Sequence, residues 1–227
     1  MPPPSDGRFA RYIHASMPAG ITLPPEFVAA LEWMDDHDCV RRSARREGVR
    51  YATLYPARAP ERGMSCVSIH AVDPADAVYW MGEGVEGADR LAPFIRTGGD
   101  GSYAALWRDP EDRLRFVHLG SGSGSTWAGV ITDDPVQMLR FLAIGYPEPC
   151  WPETFAATPL EAYEEDDFSD EAPFLPPEQF QQWVTDRFGV TIPPRADALI
   201  HAAPNMDDPN PTDPFLIWLK AAQDKAA

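Results

Sequence analysis

The chain has 227 residues, of which 44% are hydrophobic and 11% aromatic, enough to bury a sizeable core and too much for disorder throughout. Its formal net charge is −16 and unevenly spread: residues 1–147 hold 19 acidic and 15 basic side chains, residues 148–227 hold 16 and 4. A surface this negative repels phosphate backbones and anionic lipid heads, which argues against nucleic-acid and membrane binding and for a cationic protein partner.

In chain order, residues 1–22 read as an N-terminal arm or a first short strand. Leu23-Pro24-Pro25-Glu26 opens a helix, because proline is tolerated where a first-turn N–H has no partner anyway. Phe27, Ala30, Leu31 and Met34 give that helix one apolar face, and it ends near Asp36 to Asp38. An Arg-rich stretch with Arg41, Arg42, Arg45 and Arg46 turns at Glu47-Gly48 into a β-branched, aromatic strand, Val49 to Tyr55. These arginines form a basic patch, most simply a solvated edge.

Ser65 to Ala71 and Val78 to Met81 read as strands around an Asp-Pro turn. Ala88 to Ile95 reads as weakly helical, interrupted by Pro93. The glycines of Thr97-Gly98-Gly99-Asp100-Gly101 permit positive φ, and Asp100 can bond its own backbone. Ser102 to Trp107 and Leu114 to Leu119 form a hairpin around Asp109-Pro110-Glu111-Asp112, followed by a strand at Trp127 to Ile131. Asp134 caps a helix with Pro135 at its first position, and Val136 to Ile144 is apolar on nearly every side and so buried.

After Tyr146, prolines and the run Glu164-Glu165-Asp166-Asp167 change the character of the chain. A helix at Glu178 to Phe188 ends at Gly189. Another starts near Asp213, with Phe215, Trp218, Leu219 and Ala222 facing inward. A helix, then meandering strands, then helices argue for an α+β fold: a mixed, mostly antiparallel sheet flanked by helices, with a helical C-terminal extension packed on it. The expected division is an arm (1–22), an α+β domain (23–148) and an acidic, Pro-rich and helical extension (149–227).

Chemistry-bearing motifs are sparse. His14, His37, His70, His118 and His201 are scattered, without the close pairs that a zinc site needs, and no metal or other cofactor is expected. Cys39, Cys66 and Cys150 are odd in number and lack a C-x-x-C, which fits inert thiols in a reducing compartment. Gly120-Ser121-Gly122-Ser123-Gly124-Ser125 lacks the Lys-Ser/Thr ending of a phosphate loop and reads as a flexible hairpin tip. Asp208, Asn210, Thr212 and Asp213 resemble a calcium loop broken by Pro209 and Pro211, so a turn is the better reading. Carboxylate pairs are abundant, and their spacing singles out none for acid–base work. No catalytic residue is assigned, and an enzyme is not expected. Met1 to Asp6 has no apolar signal region and no stretch approaches ~20 apolar residues, so the expected location is cytoplasmic.

Several pieces in this order resemble the SUKH superfamily. They are the Leu23-Pro24-Pro25-Glu26-Phe27 helix start, the segment Phe94 to Trp107 with its Gly98-Gly99-Asp100-Gly101-Ser102 loop, Val117-His118-Leu119-Gly120, and Ile131-Thr132-Asp133-Asp134-Pro135-Val136 running into Leu139 to Tyr146. The superfamily includes bacterial immunity proteins and fungal cell-wall-synthesis regulators, and the resemblance covers residues 23 to 148. It implies a mixed sheet flanked by helices, no fixed catalytic set, and a role in neutralising a toxin, often a nuclease, by occlusion.

Gly98, Gly99, Asp100, Gly101, Trp107, Asp134 and Pro135 have fold-holding roles in this reading. Glu164, Glu165, Asp166, Asp167, Asp170 and Glu171 are the candidate partner-binding residues. A regulatory or scaffold role, and an enzyme or small-ligand binder with a pocket that spacing does not reveal, stay open as alternatives.

Overall fold

The computed structural model describes residues 8–59, 63–165 and 172–226. Its centre is a seven-stranded sheet in which every strand pairs with its neighbour in sequence. The strands are β1 (Val40–Arg42), β2 (Arg50–Thr53), β3 (Ser68–His70), β4 (Leu91–Arg96), β5 (Tyr103–Arg108), β6 (Leu114–Leu119) and β7 (Ala128–Thr132). All of these pairings are antiparallel, so the α+β expectation holds with a simpler sheet than a mixed one. Among the described residues seven α-helices accompany it: α1 (Phe9–His14), α2 (Pro25–Asp36), α3 (Pro74–Met81), α4 (Pro135–Ile144), α5 (Pro159–Glu164), α6 (Glu178–Phe188) and α7 (Pro214–Ala226).

Alternation along the strands sends side chains to two cores. Ala52, Ile69, Ile95, Ala104 and Phe116 face a large core shared with Phe27, Leu31 and Met34 of α2 and Leu139 and Leu142 of α4. Ala105, Trp107, Val117, Leu119 and Ala128 face a smaller one, closed by Ala77 and Met81 of α3 and Phe215, Leu216 and Leu219 of α7.

The expected division into three segments does not divide the core. Phe9 and Ile13 from the arm and Phe155, Phe180, Val184 and Leu199 from the extension are buried in the large core. The extension also shields the last strand's edge. Ala128 donates its N–H to the Pro204 carbonyl at 2.9 Å, and Val130 donates to the Asp213 carboxylate at 3.0 Å. An unpaired edge would otherwise invite another chain.

Three expectations are corrected. The described part of the arm, residues 8–22, holds a helix and no strand: Phe9, Tyr12 and Ile13 recur at helical spacing, and α1 lies on α2 with Arg8 paired to Asp36 at 2.8 Å. Val78 to Met81 is not a strand but the end of α3. The Asp73 side chain accepts the Ala75 N–H at 3.0 Å, Pro74 opens the helix, and this local signal overrides the strand preference of Val78, Tyr79 and Trp80. Ala88 to Ile95 is not helical beyond a 3-10 turn at Ala88–Arg90. It continues as β4, whose Pro93 sits where the register with β5 shifts, as proline in a strand requires.

The other expected elements stand. α2 ends at Asp36, α6 runs from Glu178 to Phe188 and closes on Gly189 in the left-handed conformation, and β5 and β6 form the expected hairpin. Asp134 caps α4 by accepting the Val136 N–H at 2.8 Å, with Pro135 at the first position.

Candidate functional site

The expected acidic run falls at the end of α5. Thr158 caps this helix through a reciprocal pair with Glu161, which leaves Glu164 and Glu165 exposed at its far end beside exposed Leu160. Asp166, Asp167, Asp170 and Glu171 lie outside the described residues. Downstream, the Tyr163 hydroxyl donates to the Ala172 carbonyl at 2.7 Å and its ring packs on Phe174, so the chain is held on both sides of the run.

The loop motif converges on one carboxylate. Asp100 accepts the backbone N–H of Ser102 and of Ser125, and the hydroxyls of Ser102 and Ser121, all at 2.8–2.9 Å. Gly124 N–H in turn donates to the Ser121 hydroxyl. The 120–125 run is therefore a fastened loop rather than a free hairpin tip. Burial opposes ionisation of Asp100, but bonds from Ser125, Ser102 and Ser121 outweigh it and hold the carboxyl below the ordinary carboxylate range. Gly98 leaves no room for a side chain, because a Cβ there would collide with Asp100 and the Cys150 sulfur. Gly101 completes the turn at φ +100°. Glu148 fastens Gly99 by accepting its N–H at 2.6 Å, and accepts the Trp151 indole N–H at 2.8 Å. Trp107 is buried against Phe215 and Trp218.

Cys66 and Cys150 lie beside this loop and Cys39 lies in the large core; all three thiols are free. Burial pushes Cys39 and Cys66 up to about 12 and raises Cys150 further, so each stays a thiol at neutral pH. Among the described residues, no group of three or more His, Cys, Asp or Glu is placed to hold a metal ion.

The five histidines remain apart in role. His118 is fully buried, stacked on Trp127 at 4.0 Å, with its two ring nitrogens on Thr97 and the Trp127 carbonyl. His37 stacks on Trp33 at one end of an open groove of about 670 Å³ between α2 and α6, rimmed by Glu178, Gln182, Asp186 and Arg187. His14 and His201 are exposed. The Asp208–Asp213 segment is a capped turn: Asp208 accepts the Asn210 N–H, and Asp213 accepts those of Phe215 and Leu216 at the start of α7.

His70, like His118 on Thr97, contacts a hydroxyl oxygen. Its Nε2 lies 2.8 Å from Ser68 Oγ on β3, with Tyr51 stacked on the ring and Arg96 opposite Ser68 on β4. Burial, with Arg96 adding to it, lowers His70 to about 4, which makes it a poor base at neutral pH. Among the described residues, Ser68 is its hydrogen-bond partner and no carboxylate orients the ring, so the pair lacks the third group of a triad.

No family model, curated protein or solved structure matches the chain. The site therefore rests on its own geometry. Sequence spacing missed one surface, the outward side of α3. Tyr79 there is 91% exposed and Val78 43%. The signal was present in Asp73-Pro74, which starts a helix and so fixes which residues face out, but the strand-like triplet Val78-Tyr79-Trp80 masked it. Among the described residues, no helix is long and apolar enough to cross a membrane.

Proposed function

We propose that this protein works in the cytoplasm by binding another protein and blocking it, as an immunity protein of the SUKH type occludes a cognate toxin. One observation carries the reading: the acid-rich C-terminal segment is built into the fold. Phe155, Phe180, Val184 and Leu199 share the large core. The Tyr146 hydroxyl accepts the Ala196 N–H at 3.0 Å and donates to the Ala157 carbonyl at 2.6 Å. Of the 16 carboxylates and 4 basic groups of residues 148–227, 12 and 4 lie among the described residues, on stretches anchored to the core at several points. An anchored field of one sign steers an oppositely charged partner and selects against others. A nuclease domain is such a partner, because it is cationic where it grips phosphate.

Co-expression with the product of the adjacent gene tests the reading. The expected outcome is restored growth and a complex that co-elutes and loosens as salt rises from about 0.05 M to about 0.5 M. Turnover of a substrate by the purified chain, abolished by Ser68→Ala, would replace occlusion with catalysis.

A further inference from the structure

We infer that the outward face of α3, with Val78 and Tyr79 at its centre and Asp73, Asp76 and Glu83 around it, is a docking face for an arginine-bearing surface of another protein. The inference deepens the occlusion reading and rests on it for the partner's chemistry. α3 carries apolar side chains on two opposite sides. Ala77 and Met81 fill the smaller core, while Ala75, Val78 and Tyr79, spaced i, i+3, i+4, stand on the opposite side. Four large apolar side chains are exposed among the described residues, and two of them are these neighbours; Leu160 and Ile217 stand alone on α5 and α7. Single exposed apolar residues are ordinary, but a contiguous set is not.

Pro74, Ala75, Val78, Tyr79 and Glu83 line one shallow depression of about 700 Å³. Tyrosine combines a large rigid apolar body with a polar tip and recurs among residues that dominate binding energy. Among the described residues nothing covers the Tyr79 ring, which is 91% exposed.

Charge settles what fits there. Between residues 73 and 89 the chain carries Asp73, Asp76, Glu83, Glu86 and Asp89 and no basic residue. Other groups face this region from packed elements. Arg46, in the β1–β2 connection, acts on Asp76, and Lys225 of α7 shares a depression with Glu86 and Asp89. Arg90 lines that same depression and reaches the Arg108 and Asp109 carbonyls and Asp112. Asp73, Asp76 and Glu83 therefore hold the negative rim nearest Tyr79. Burial and then the Asp73 charge raise Asp76, and Arg46 opposes them. An arginine satisfies both parts of the face, since its planar guanidinium stacks on a tyrosine ring and forks onto carboxylates.

Three synthetic peptides test the face on the intact protein: an Arg/Leu amphipathic helix, an Arg/Gly/Ser peptide of equal charge, and a Glu/Leu helix. Binding is titrated by heteronuclear NMR and mapped by backbone shifts. The Arg/Leu helix is expected to bind tightest, to shift residues 74–83, and to lose about tenfold in affinity with Tyr79→Ser. Asp76→Asn and Glu83→Gln are expected to cost about threefold each. Ile217→Ser and Leu160→Ser are controls expected to change nothing. Shifts centred elsewhere, equal binding of the two Arg peptides, or unchanged affinity in Tyr79→Ser would overturn the inference. So would concentration-dependent self-association that Tyr79→Ser abolishes, which would make the face a contact between copies. If the peptide maps to α3 while the co-expressed partner is not neutralised, the occlusion reading falls and the docking face stands. If Tyr79→Ser still rescues and binds fully, the face falls and the occlusion reading stands.

Discussion

The Asp100 carboxylate accepts the backbone N–H of Ser125 at 2.9 Å, across 25 residues of chain. The contact ties the loop before β5 to the loop after β6. Asp100→Ala leaves the N–H groups of Ser102 and Ser125 and two hydroxyls without that acceptor. Because the site is only half-buried, water replaces part of what is lost, and the expected cost is about 1–2 kcal/mol. Amide exchange should rise across 120–125 while α2 stays protected. The pH dependence has a definite sign. A carboxyl held low in the folded state contributes in full above its unfolded pKa of about 4, and that contribution vanishes as pH falls through the folded value. The gap between wild type and variant in chemical denaturation should therefore narrow in strong acid; a gap that stays constant from neutral pH into strong acid would exclude this account.

Part of this arrangement was legible in the sequence. That Asp100 bonds its own backbone at Ser102 follows from local chemistry, as do the Asp134 cap and the limits of α6. Its reach to Ser121 and Ser125 depends on β5 and β6 pairing, which brings two loops side by side, and no local signal encodes that. The same limit explains β4, where a central strand tolerates Pro93 only because the register slips there. Of the candidate partner-binding residues, Glu164 and Glu165 lie on the surface as their charge requires. Tyr79 escaped notice because exposure is a tertiary property: the same side chain in a strand would have been core.

Tyr146 is the clearest test of whether the extension is welded to the rest. Its hydroxyl serves the Ala196 N–H and the carbonyls of Ala157 and Phe155. Tyr146→Phe keeps the buried ring and removes only those bonds. Leaving a buried N–H unpaired costs about 1–3 kcal/mol. A single cooperative unfolding transition at lower denaturant is expected, because both sides of the weld share one core. A variant that melts in two steps would show instead that residues 149–227 fold as a separate unit.

The thiols give a prediction of low reactivity. Cys66, pushed up to about 12 by burial with Glu148 adding to it, holds almost no thiolate at neutral pH. An aromatic disulfide reagent should modify the buried Cys39 and Cys150 together, at the rate of global unfolding, and the half-buried Cys66 slowly. Rapid labelling of one cysteine in the native protein would reveal a nucleophile that burial is expected to silence.

The histidines set the mild-acid behaviour. Burial lowers both His70 and His118 to about 4, with Arg96 adding to the effect at His70 and the Trp127 carbonyl opposing it at His118. In the unfolded chain both titrate near about 6.5. Above that value neither state carries the proton and the two histidines leave stability unchanged. As pH falls from about 6.5 toward about 4, the unfolded chain takes up protons that the folded one refuses, so stability drops by up to about 1.4 kcal/mol per pH unit for each histidine. Asp100 and Asp109, both held low, act only below that window. His70→Gln removes one titrating group while an amide can still bond Ser68, and it should roughly halve the slope between pH 6 and pH 5 without changing the behaviour below the window. Denaturant midpoints that stay flat from neutral pH to pH 5 in the wild type would show that protonated imidazole is accommodated at both sites, contrary to their burial.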